Sequence, residues 1–177
     1  MNADALPLDA LTHSKLARLI GLLSCDDLDT HETERIAGIC MQAIDRPAAT
    51  LQTHYGADAA KVAQYDPDGV TAFILFVELQ DYFAVSDNVD ELYEQIMDAF
   101  EQPQLPGYPY DDNAFETISD FYRWVDAQLL THHPNYQLIS FGESYTHDFQ
   151  DVLVYRKQVE EILALCKSLA LRAELCA

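Results

Sequence analysis

Apolar positions recur along most of this chain at helical spacing. Leu16, Leu19, Ile20 and Leu23 share one face and predict an amphipathic helix from about Leu8 to Leu23. The polar run Ser24 to Asp29 breaks it. Asp29 followed by Glu32 has the spacing of a capping box and opens a helix burying Ile36, Ile39, Cys40 and Ala43. Pro47 suits a first helical position, so a short helix begins there and ends near Tyr55-Gly56. Ala57 to Tyr65 reads as another short helix, and Asp66-Pro67-Asp68-Gly69 as a turn in which Pro presets φ and Gly accepts a positive one. Val70 to Phe83 is read as helix because the run is long for a strand, although Ala72 to Val77 alone would also make a central strand. Ser86-Asp87, with Asp90, caps a helix to Phe100. Glu101 to Asp112 is a loop holding Pro103, Pro106 and Pro109. The next helix starts near Asn113, carries Phe115, Ile118, Tyr122, Val125 and Leu129 on one side, and stops at His132-His133-Pro134. Gln158 to Leu171 is the last.

One stretch departs from helical spacing. Tyr136 to Phe141 is a β-rich run that meets Gly142, crosses a polar turn and returns as Phe149 to Tyr155. The whole order predicts one α+β domain over 1–177, with a mainly helical N-terminal half and a C-terminal α-β-β-α unit containing a small antiparallel sheet. An isolated two-stranded hairpin is marginal in water, so it must lie on the helices or gain a strand, from Ala72 to Val77 or from a second copy.

The totals of 177 residues and 49% hydrophobic residues fit a globular chain with a sizeable core. Thirty acids against ten bases give a formal charge of −20, which opposes direct nucleic-acid binding and docking on anionic lipid. The N-terminal residues form no secretory signal, and the longest apolar run, Ala72 to Val77, is far too short to span a bilayer. Cys25, Cys40, Cys166 and Cys176 follow no zinc spacing and read as reduced thiols. A cytoplasmic protein without cofactor or metal is the expectation.

The charge is unevenly placed. Between Lys61 and Arg123 there is no Lys or Arg, while the interval holds fourteen acids. Asp87, Asp90, Glu91, Glu94 and Asp98 lie at helical spacing on one side of a capped helix, and Asp111 and Asp112 follow in the loop. Such a face either steers a basic partner or only keeps the protein soluble. The hairpin turn gathers Glu143, Tyr145, His147 and Asp148, with Asp151 just beyond, a mixture that a metal or general base could use but that turns commonly contain. Pro103 to Tyr110 has the look of a polyproline II ligand or of an aromatic-anchored strap. No nucleophile elbow, dinucleotide fingerprint or phosphate loop occurs.

From Phe115 onward, the helix ending Trp124-Val125-Asp126-Ala127-Gln128-Leu129, the run Tyr136 to Tyr145 with its Gly142-Glu143-Ser144-Tyr145 turn, and the closing Ile162 to Leu171 helix resemble a family of small bacterial proteins of unknown function. The resemblance spans roughly the last third of the chain. It implies the hairpin-plus-helix fold and a bacterial cytosolic setting, and no mechanism. The leading expectation is a non-enzymatic binding module, like an immunity protein or a DNA mimic, whose acidic face docks a basic protein. The alternatives are a small enzyme or metal-binding protein at residues 143–151, and a structural homodimer joined through the hairpin edge.

Overall fold

The computed structural model describes residues 7–110 and 115–177. In chain order the elements are α1 (Leu8–Leu23), α2 (Thr30–Asp45), α3 (Pro47–Tyr55), α4 (Ala57–Ala60), α5 (Val62–Tyr65), α6 (Val70–Glu78), β1 (Phe83–Ser86), α7 (Val89–Asp98), α8 (Ile118–His132), β2 (Tyr136–Phe141), β3 (Phe149–Tyr155), α9 (Val159–Ser168) and β4 (Ala173–Leu175). The strands form one antiparallel sheet in the order β1-β3-β2-β4, so the fold is α+β as the pattern indicates.

The expected hairpin is β2 and β3, with Tyr136 opposite Tyr155 and Ser140 opposite Asp151. Gly142 makes its first corner at φ 68°, a left-handed conformation that glycine adopts without a Cβ clash. The hairpin gains two strands, and neither comes from where the pattern placed them. Ala72 to Val77 lies inside α6, which buries Val70, Ala72, Ile74 and Leu75 on several sides and so shows no clean stripe. The helix stops at Glu78, short of the expected Phe83, and β1 begins at Phe83 to pair with β3. At the other edge, β4 pairs with β2. Each hairpin strand therefore has an outer partner along part of its length: β1 on Phe149–Val152 and β4 on Ile139–Phe141. On β1, the Gln95 side chain accepts from the Val85 N–H at 2.8 Å and donates to its carbonyl at 2.7 Å, so an amide stands where a further strand would pair.

Helices cover both faces of the sheet. Ile139, Phe141, Val152 and Val154 pack with α1, α2, α6 and α9; Ala84, Leu138 and Cys176 pack with α7 and α8. The second core is strapped by the loop after α7. Leu105 is buried, Tyr108 packs on Tyr93, Phe115 and Trp124, and the Tyr93 hydroxyl donates to the Pro106 carbonyl at 2.5 Å. His133 stacks flat on Phe100 at 3.9 Å and accepts from the Gln104 N–H at 3.2 Å. The Pro103 to Tyr110 stretch is thus a strap and not a free ligand segment.

Helix ends account for the remaining shifts. Asp29 caps α2 by accepting from the Glu32 N–H at 2.8 Å, but the Glu32 carboxylate turns to Arg35 instead of completing the box. α8 starts at Ile118, behind a reciprocal Thr117–Asp120 capping box, so Phe115 precedes the helix expected to begin near Asn113. α9 stops at Ser168 and not Leu171. There the Ala170 N–H bonds the Lys167 carbonyl and the Leu171 N–H bonds the Cys166 carbonyl, a Schellman arrangement with Ala170 at φ 55°. α1 ends the same way, with Cys25 at φ 51°. An alanine in this conformation costs on the order of 1 kcal/mol relative to glycine. Ala170→Gly is expected to stabilise the protein by about 1 kcal/mol in urea denaturation, with β4 retained; a loss of stability would contradict this account of the α9 terminus.

Candidate functional site

α7 turns Leu92, Tyr93 and Ile96 inward and leaves Glu91, Glu94 and Asp98 exposed, with Asp90 half-buried. Asp90, Glu94 and Asp98 stand four residues apart and repel one another. Asp98 also opposes the negative end of the helix dipole. No basic side chain among the described residues offsets this. Arg18 pairs with Glu161, Arg35 with Glu32 and Glu78, Lys61 with Asp58, Arg123 with Asp120, Arg156 with Asp126 and Arg172 with Glu143. Six of the ten bases are thus taken up elsewhere. Among the described residues, the side chains that donate to α7 carboxylates are neutral hydroxyls: Ser86 to Glu91 at 2.9 Å and Tyr110 to Asp90 at 3.5 Å.

Asp87 does not sit on this helix face. It precedes the N-cap Asn88 and reaches across to the β2–β3 turn, where it accepts from the Asp148 N–H at 3.0 Å and meets His147 Nδ1 at 3.3 Å. The helix expected to be capped by Ser86-Asp87 has no side-chain cap at all. Asp111 and Asp112 lie outside the described residues.

At its C-terminal end, α7 borders a cleft of about 720 Å³. Asp27, Asp81, Asp98 and Glu101 all line it. Its aromatic lining is Tyr82, Phe83, Phe100, Tyr136 and Tyr155, over an apolar floor from Ile96, Leu138 and Leu153. Among the described residues no Lys, Arg or His lines it. The Tyr82 hydroxyl donates to Asp27 at 2.6 Å; burial, then this carboxylate, pushes the phenol up to about 12. The cleft draws on five separate parts of the chain, so no local spacing announces it.

The hairpin turn borders a second, polar cleft of about 260 Å³. Of the five residues expected to act together here, Glu143, His147 and Asp148 line it. Tyr145 turns away: its hydroxyl donates to Asp66 at 2.5 Å and its ring meets Tyr65 and Phe73. Asp151 lies in the middle of β3, fully buried, with the Tyr122 hydroxyl of α8 donating to it at 2.8 Å. Among the described residues no three His, Cys, Asp or Glu side chains are placed to hold a metal ion. The Ser144 hydroxyl accepts from the His147 backbone N–H at 3.0 Å, and the partner of the His147 ring is Asp87. The turn therefore brings together a histidine and a carboxylate but no nucleophile aligned on that ring.

No family model, curated protein or solved structure matches the chain.

Asp151 is the clearest titratable group of the interior. Burial pushes its carboxyl up to about 6, against a partial opposing effect of Tyr122, Cys176 and Ser140. One oxygen has no partner with hydrogen-bond geometry. An acid whose pKa is raised by folding binds its proton more tightly when folded. Its contribution to stability is full below its ordinary value of 3.8 and is lost as pH rises through about 6. At about 1.36 kcal/mol per unit, the charged form costs about 3 kcal/mol at neutral pH. Asp151→Asn, which keeps an acceptor for Tyr122, is expected to raise Tm at pH 7.5 and to lose that advantage below about pH 4. Equal Tm values at pH 7.5 would show that Asp151 is not destabilising.

Proposed function

We propose that this protein is a non-enzymatic binding module whose acidic face docks a basic protein, in the manner of an immunity protein or a DNA mimic. The observation that carries it is the lack of compensation on α7. Six of the ten bases pair with acids elsewhere, while Asp90, Glu94 and Asp98 face solvent or half-burial without a cation among the described residues. Repulsion at these spacings costs a few tenths of a kcal/mol per pair. Solubility alone could be served by acids spread over the surface, so concentration on one helix favours a partner that supplies the opposite charge.

The same proposal includes the bacterial, cytosolic setting implied by the C-terminal resemblance, and no direct contact with nucleic acid or membrane. No helix among the described residues is long and apolar enough to cross a membrane. The alternative, an enzyme or metal-binding protein at the hairpin turn, has a cleft in its favour, but Tyr145 and Asp151 lie away from it.

The test replaces three acids on α7: Asp90→Lys, Glu94→Lys and Asp98→Lys. Loss of a favourable charge at the helix start is offset by a favourable one at its end, so Tm should stay nearly equal. Basic protein captured from lysate of the source organism at about 50 mM salt should be released as the Debye length shortens, and should not bind the triple variant. A control with the same charge change at Asp45, Asp58 and Glu160 should capture normally. Equal capture by the triple variant would sink the proposal; equal loss in the control would reduce it to bulk charge.

A further inference from the structure

We infer that the cleft at the end of α7 receives cationic side chains, lysine or arginine, of the docked partner. This rests on the docking proposal above and names the chemistry that would make docking specific. The cleft is continuous with the acidic face, because Gln95 and Asp98 of α7 form part of its wall. At about 720 Å³ it is within the size range of ligand pockets, not a surface dimple.

Its chemistry is selective. A neutral or anionic ligand would meet Asp27, Asp81, Asp98 and Glu101 with no cation to answer it. A bare metal ion would gain nothing from the apolar floor and would face carboxylates that are not grouped as a ligand set among the described residues. A lysine or arginine side chain uses both parts. Its methylene stem lies on Leu138 and Leu153, its charge meets the carboxylates, and the rings of Tyr82, Phe100, Tyr136 and Tyr155 offer cation–π faces. Three of those rings are held by their neighbours. Phe100 is stacked on His133, Tyr136 packs on Tyr155 at 5.3 Å, and Phe100 meets Tyr136 at 5.2 Å. The Tyr82 hydroxyl fixes the Asp27 carboxylate. Strand addition at the cleft is disfavoured, since Gln95 already occupies the outward backbone groups of Val85. Recognition therefore runs through side chains.

Capped peptides test this without the partner. Four are used: a lysine-rich hexapeptide, its Nε-acetylated counterpart, an arginine-rich hexapeptide, and the same peptide with citrulline. Each is titrated calorimetrically into the intact protein at about 150 mM salt, where the Debye length is about 8 Å. The charged peptides should bind at least about tenfold more tightly than their neutral counterparts, about 1.4 kcal/mol. The variant Asp81→Asn with Glu101→Gln, both exposed positions, should lose most of that difference. Asp45→Asn with Glu160→Gln, the same charge loss away from the cleft, should keep it. Equal binding of charged and neutral peptides overturns the inference, and so does equal loss in the two variants. Saturable binding of spermidine with none of the basic peptides also overturns it, in favour of a free polyamine. Reversal of Asp90 and Glu94 alone, neither of which lines the cleft, reads the docking proposal separately. Capture lost there but kept in the Asp81 and Glu101 variant would leave docking intact and remove the cleft.

Discussion

β3 is paired on both edges and covered by helices on both faces, and that constraint shapes most of the molecule. Strands in this position favour apolar side chains on both sides, yet β3 carries Asp151 into the second core. The carboxyl is accommodated by Tyr122 from α8 and by a raised pKa, not by a cation. Its alternation also sorts the helices. Val152 and Val154 face the α1, α2, α6 and α9 layer, and Phe149, Asp151 and Leu153 face α7 and α8. The hairpin turn that begins β3 touches Asp87 at the start of α7, while its far end, at Leu153 and Tyr155, floors the cleft at the other end of that helix.

The placement of charge follows from this layering. Bases near both chain ends pair with acids on neighbouring helices and loops. Arg18 of α1 meets Glu161 of α9, and Arg35 of α2 meets Glu78 at the end of α6. Burial raises Glu78, but Arg35 and Tyr55 outweigh it and hold the carboxyl below its ordinary range. The middle of the chain has acids and no base to spend, and α7 presents them outward. Its inner face is fixed by Leu92, Tyr93 and Ile96, so the acidic face has a fixed direction. A partner would meet a preformed surface and not a mobile tail.

Long-period features were legible in the residues. The α1 and α2 helices, the hairpin with its Gly142 corner, and the acid-rich interval all appear in the structure where spacing put them. The missed features share one physical origin: they are decided by distant contacts or by unusual local choices. β1 and β4 are four and three residues long, too short for alternation to register, and exist because β3 and β2 offer edges. α9 ends on Ala170 in a left-handed conformation, where glycine would have been the visible signal. The Thr117–Asp120 box was written in the sequence but hidden behind the apolar Phe115. Asp151 sits near the turn in sequence, and strand alternation alone decides that it points beneath α8. The cleft had no local signature because its walls meet only after folding.

The central claim is that the acidic face of α7 and the cleft at its end form one docking surface. Amide hydrogen exchange on the protein bound to its captured basic partner tests it most directly. Added protection is expected in α7 through Glu101 and in the cleft-lining segments 24–27 and 80–84, with the hairpin turn 142–148 exchanging as in the free protein. Protection confined to that turn or to β4, with α7 unchanged, would contradict the claim and place the functional surface on the opposite end of the sheet.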